Sequence, residues 1–214
     1  MGKPFSHEER EQVQDILRRT GLQLLAENGI RNVSIRELTR QAGIAQGGFY
    51  TFYKNKEEFV IDLFLLRIRE KTDAMLAHKE DTLADPERFV AELLYKEGMH
   101  LKENRAFNNQ ASGTLGFFAK YGGRAGKKSM AIYRTFLEKL IRYWEENGYT
   151  VECDVDGILN VGIMGSVLFS NAGLIDEGYF EKIYREYCRS ETARFLKIKG
   201  KHQQCCKKER NPVG

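Results

Sequence analysis

The chain has 214 residues, 42 % of them apolar and 30 % charged, with only three prolines and four cysteines. That length supports one or two domains with a proper buried core, and a net charge of +4 is too small by itself to establish a polyanion partner. Cys153, Cys188, Cys205 and Cys206 lack the paired spacing of a metal site, and the polar start MGKPFSHEEREQ contains no secretory signal, so reduced thiols and a cytoplasmic location are expected.

In chain order, Val13, Ile16, Leu17, Thr20 and Leu24 make the apolar stripe of an amphipathic helix, which Gly29 ends in a left-handed conformation. A second helix starts at Ser34: "SIRE" is a capping box, with Ser34 as N-cap and Glu37 reaching back. Ile35, Leu38 and Ala42 face one way, and Gly43 ends this helix after about two turns. A long helix follows from Lys56 to about His78, with Phe59, Leu63 and Leu66 inward. Pro86 suits the first position of the next. Further helices are predicted near 86–103, 105–121, 124–147, 155–175 and 177–198, and Gly148 after "EN" repeats the terminating device of Gly29. No stretch of six or more residues alternates as a strand should, so the chain reads all-α. Residues 158–175 are free of charge, but their Asn, Ser and Gly content and acidic flanks predict a buried helix, with no membrane span.

Between the second helix and Lys56 stands "AQGGFYTFY", Ala45 to Tyr53. Two short helices joined by a tight Gly-containing turn form a helix-turn-helix, whose second helix reads bases in a major groove while its flanks meet phosphates. Each glycine of the Gly47-Gly48 pair costs about 0.5–1 kcal/mol in a helix relative to alanine, and its missing side chain lets the backbone approach DNA closely. Ile44, Phe49 and Phe52 are expected to pack inward, leaving Tyr50 and Thr51 toward DNA. Lys54, Lys56 and Ser34 at a helix N-terminus suit phosphate contacts, with Arg36 beside them. Charge agrees: residues 1–56 hold nine Lys/Arg against six Asp/Glu, and residues 197–214 six against one, so basic ends flank a mildly acidic middle.

The stretch "LLAENGIRNVSIRELTRQAGIAQGGFYTFYKNKEEF" resembles the N-terminal domain of the TetR family of transcriptional regulators. The resemblance covers about residues 10–65. The family's motif positions fall on Gly29, Ser34, Ala42-Gly43, Gly47, Phe49-Tyr50 and Lys56-Glu57. The chain departs where the family often has Ser-Lys in place of Ala45-Gln46, and Thr in place of Gly48. A cap hydroxyl and one basic contact are therefore missing, while Gln46 can still pair bidentately with adenine. The resemblance implies residues 1–55 as a three-helix DNA-binding domain and 56–200 as a larger helical domain that dimerises and often holds a small-molecule pocket. Residues 201–214 form a basic tail.

In that larger domain, residues 95–144 are rich in aromatics. Tyr95, His100, Phe107, Phe117, Tyr121, Tyr133 and Trp144 are the candidates to line a mostly apolar pocket, with Asn108, Asn109 and Gln110 adding polar groups. Gly162 and Ser166, four residues apart, make a small face that permits close helix approach. With Phe169, and with Tyr184 and Tyr187 on the last helix, they are the candidates for a four-helix dimer interface. "GGRAGKKS" at 122–129 reads as a solvated basic helix start; it lacks the spacing and following hydroxyl of a phosphate-binding loop. No nucleophile–base pair or metal set has recognisable spacing, so no enzyme activity, cofactor or metal is expected. The expected partners are double-stranded operator DNA, a second copy of the chain and a small-molecule effector. The alternative is control by a partner protein or by cysteine redox state.

Overall fold

The computed structural model describes residues 5–28, 33–107, 114–170 and 172–200, with side-chain positions for these except 25–28, 100–107, 114–122, 124, 166, 169, 170 and 172. The described residues form seven α-helices: α1 (His7–Asn28), α2 (Ile35–Gln41), α3 (Lys56–Ala77), α4 (Pro86–Phe107), α5 (Thr114–Glu146), α6 (Val155–Ser170) and α7 (Glu177–Phe195). The chain is all-α in class, with a short antiparallel ribbon of β1 (Thr150–Cys153) and β2 (Leu196–Lys199).

Contacts divide the chain into two compact units, residues 1–74 with 103–133 and residues 75–102 with 134–214. The first division falls inside α3. Phe59 and Leu63, at the start of α3, share one core with Leu17, Val33, Leu38, Phe49 and Tyr53. Burying these side chains ties the start of α3 to α1, α2 and the segment around Phe49. A second group in this unit joins Val60, Ile61 and Leu65 of α3 to Ala125 of α5. In the other unit Trp144 is fully buried, and its indole N–H donates to the Thr82 hydroxyl at 2.7 Å. The Tyr149 hydroxyl donates to the Leu83 carbonyl, so a 3₁₀ turn at Lys79–Ala84 is pinned by Trp144 of α5 and by Tyr149 just beyond it.

The predicted stops hold where glycine is needed: Gly43 has φ 66° and Gly148 φ 88°, the left-handed region that favours glycine. Gly29 lies outside the described residues. The Ser34 cap forms in one direction only. Its hydroxyl accepts from Glu37 N–H at 3.4 Å, but the Glu37 carboxylate is taken by Arg40 and by Gln41 at 3.0 Å. That pairing holds the Glu37 carboxyl down to about 2. The reciprocal box occurs instead at Ser6 and Glu9, which exchange bonds of 2.7 and 3.2 Å.

Two expectations fail. The helices predicted near 105–121 and 124–147 are replaced by one 33-residue helix, α5, so "GGRAGKKS" is mid-helix and starts nothing. Ala125, Ser129, Phe136, Leu137, Leu140 and Trp144 supply a buried stripe that outweighs the glycine cost. The two strands were missed because each has only four residues. Their pairing depends on bringing Thr150 opposite Lys199, a contact between distant parts of the chain. α7 passes into β2 and so ends at Phe195, and α6 ends at Ser170, both shorter than expected.

Candidate nucleic-acid interface

The surface is built on the first unit. Phe49 is fully buried and stacks edge-on against Phe59 with ring centroids 5.5 Å apart, while Ile44 and Phe52 pack against the same core. This anchors the segment Gln46–Thr51, a 3₁₀ helix and not an α-helix. Its bonds are i→i+3, as in Gly48 N–H to Ala45 carbonyl at 2.8 Å, and Ala45 at the N-cap offers no side-chain bond, as the missing hydroxyl predicts.

With Phe49 fixed inward, the opposite face is set. Tyr50 is 55 % exposed, and Ala45, Gln46, Gly47 and Thr51 are exposed with it. The two glycines differ. A Cβ at Gly47 would meet nothing within 4 Å, whereas one at Gly48 would meet Ile44 Cδ1 at 3.4 Å. Gly48 therefore faces the protein and Gly47 faces outward. The Thr51 hydroxyl donates back to the Gly48 carbonyl at 2.7 Å, so it is engaged within the helix. Ser34, Arg36 and Lys54 are exposed. Lys56 is partly buried at the start of α3, and burial lowers its ammonium below the usual lysine value. Among these cations Lys54 and Arg36 are the more accessible to a phosphate.

Sequence reading missed a polar set beside this surface. Arg10 donates to the Thr51 carbonyl at 2.7 Å and lies 4.8 Å over the Phe52 ring. Arg18 holds Asp62 at 2.8 and 3.3 Å, and the Tyr53 hydroxyl donates to the same carboxylate at 2.9 Å. Burial, then, pushes the Tyr53 phenol up to about 12, and the Asp62 bond raises the Arg18 guanidinium further. The spacing of Arg10, Gln14 and Arg18 at i, i+4 and i+8 was the signal available in the sequence.

Of the residues named for a pocket, the side chains of Tyr95, Tyr133 and Trp144 are among those described. Trp144 is fully buried, and its N–H is taken by the Thr82 hydroxyl. Tyr95 is covered by the Arg185 guanidinium 3.7 Å from its ring centre, and Arg185 also holds Glu92 at 2.7 and 2.8 Å. Tyr133 is half-buried and falls in the first unit. The side chains of His100, Phe107, Phe117 and Tyr121 lie outside those described, as do residues Asn108, Asn109 and Gln110 entirely. An open cleft of about 690 Å³ between the start of α4 and the end of α7 is lined by Asp85, Arg88, Glu186 and Arg189 among others, and contains none of the named residues.

Of the residues named for an interface, Gly162 is exposed on α6, and the side chains of Ser166 and Phe169 lie outside those described. Tyr184 is not available: it is 2 % exposed, stacked between Phe180 and Tyr187 and bonded to the Leu94 carbonyl at 3.3 Å. Gly165 gives it room, since a Cβ there would stand 2.5 Å from its hydroxyl. Tyr187 is half-buried and donates to the Val161 carbonyl at 3.2 Å. Exposed apolar residues occupy the other sides of the same two helices: Met164 and Leu168 on α6, Tyr179 and Ile183 on α7, with Leu174 between. No helix among the described residues is long and apolar enough to cross a membrane.

Residues 17–63 match the family model described as bacterial regulatory proteins, tetR family. The fatty acid metabolism regulator protein of Bacillus subtilis (strain 168) is 31 % identical over 64 residues, 30 % of this chain and 31 % of that protein, so the match spans about a third of the relative's length. Among solved structures, RolR in complex with resorcinol aligns over 88 % of this chain and 97 % of its own, with a TM-score of 0.61 at 21 % identity. A TetR transcriptional regulator from Rhodococcus sp. RHA1 aligns over 88 % and 99 %, with a TM-score of 0.58 at 14 % identity. At these identities the structural likeness is one of fold.

Proposed function

We propose that the chain is a regulator of the TetR type, a homodimeric, sequence-specific DNA-binding repressor released from its operator by a small apolar or aromatic molecule, and the match of residues 17–63 to that family's model supports this reading. The observation that carries DNA binding is the outward face of the Gln46–Thr51 helix. There a glutamine, an open glycine and an exposed tyrosine stand together beside Lys54, and Phe49 holds that face in place from behind. Gln46 reads bases and Tyr50, Lys54 and Arg36 meet phosphates.

Dimerisation is assigned to α6 and α7, through Met164, Leu168, Tyr179 and Ile183 rather than Tyr184. An apolar patch of this kind on two adjacent helices is the signature of an interface. A two-fold pair of reading heads then requires a pseudo-palindromic site. The effector reading is supported by the aromatic content of residues 95–144 and by a protein of the same fold, RolR, whose structure holds resorcinol. At Cys153 and Cys188 burial pushes the thiols up to about 11, where little reactive thiolate exists, which speaks against these two as redox sensors.

The test has two stages. Selection from a randomised duplex library should enrich a pseudo-palindrome whose binding weakens steeply with salt. A thermal-shift screen of apolar and aromatic compounds should then yield ligands that lower affinity for that duplex by about 5–150-fold, the usual range of allosteric coupling. Ligands that stabilise the protein yet leave DNA affinity untouched would remove the regulatory site.

A further inference from the structure

The Gln46–Thr51 helix is six residues long, 3₁₀ in geometry and lacks a side-chain cap at its start. Such a helix has little stability of its own, so its direction must be imposed from outside. Apolar packing of Phe49 fixes which face is inward but is poorly directional; hydrogen bonds define angle. The directional contacts gather at the C-terminal end. Arg10, Gln14 and Arg18 project from α1 one turn apart, and each grips this end or its support. Arg10 takes the Thr51 carbonyl at 2.7 Å, Gln14 donates to the Tyr53 hydroxyl at 3.3 Å, and Arg18 holds Asp62. Tyr53 joins the last two by donating to Asp62 at 2.9 Å. The Arg18–Asp62 pair is partly shielded from solvent, and its two charges cancel, so it adds nothing to the attraction for phosphate.

We propose that this polar stripe is the device that sets the pitch of the recognition helix, with Tyr53 and Asp62 as positioning residues for base discrimination by Gln46. The inference rests on the DNA-reading role of that helix. It assigns α1 a function beyond core packing: neither Tyr53 nor Asp62 touches DNA, yet both decide how squarely the reading face meets it.

Phenylalanine at position 53 keeps the ring in the core and deletes only the hydroxyl, so Tyr53→Phe is the informative variant, with Asp62→Asn beside it. The specific probe is the duplex that wild-type protein enriches from a randomised library, and the non-specific probe is the same duplex shuffled, both titrated at several salt concentrations. Tyr53→Phe should bind the selected duplex about tenfold more weakly, the worth of one charge-assisted hydrogen bond. It should bind the shuffled duplex as wild type does, with an unchanged salt slope. Asp62→Asn removes a negative charge, so it should bind the shuffled duplex at least as well as wild type while losing the same discrimination. A direct phosphate contact by the Tyr53 hydroxyl would instead weaken both duplexes alike. Equal weakening on both duplexes, or unchanged discrimination in Tyr53→Phe, overturns the proposal while leaving DNA binding intact. Failure of the wild-type protein to enrich any site would overturn the DNA-reading role and this proposal with it.

Discussion

Replacing Gly47 with alanine should make the protein more stable and a worse DNA binder. Gly47 has no positive φ, and a Cβ there meets nothing within 4 Å, so the folded chain accepts the methyl without strain or clash. Alanine removes backbone entropy from the unfolded chain, a gain of about 0.5–1 kcal/mol in a helical position. For a chain of this size that corresponds to a rise in Tm of about 1–4 °C. If the glycine is there to let the helix backbone lie against base edges, the same methyl must hold the DNA away. A tenfold loss of affinity corresponds to about 1.4 kcal/mol, and at least that is expected. Differential scanning calorimetry gives the first quantity, and gel-shift titration against the selected duplex gives the second. A variant with raised Tm and wild-type affinity would refute the close-approach argument. A fall in Tm would refute the claim that the space beside Gly47 is open.

The opposite behaviour is expected at Gly21, where a Cβ would stand 2.5 Å from Phe59 Cζ and 2.8 Å from Leu63 Cδ1 in the first core. Gly21→Ala should therefore destabilise by about 1–3 kcal/mol despite better helix propensity, read as a lower midpoint in urea. Ile183→Asp or Leu168→Asp places a charge on the exposed apolar face of α7 or α6 and should convert dimer to monomer in sedimentation velocity, while Tyr184→Phe, inside the fold, should leave the dimer intact. Alkylation by iodoacetamide, mapped by mass spectrometry, should be slow at Cys153 and Cys188 at pH 8. A thiol raised from 9.0 to about 11 holds roughly a hundredfold less thiolate there, and the rate should climb as pH approaches 11. Fast reaction at either position would reopen redox control.

What the sequence by itself determined was carried by local rules. The stops at Gly43 and Gly148 follow from left-handed backbone that glycine alone adopts cheaply. The inward Phe49 and outward Tyr50 follow from adjacency in a short helix whose inner side is apolar. The Ser6–Glu9 box was equally local and legible, as was the four-residue spacing of Arg10, Gln14 and Arg18. What only the tertiary structure decided involves residues far apart in the chain. Spacing shows that three polar residues share a face of α1, but not that Tyr53 and Asp62 come to meet them, 39 and 44 residues later. It could not tell that Tyr184 is enclosed beneath α6 while Ile183, next to it, is exposed, because α7 is amphipathic in either case and only packing against Leu94 and Gly165 selects the face. Nor could four alternating residues declare themselves a strand until Thr150 lay opposite Lys199, since a strand that short gets its stability from its partner and not from its own sequence.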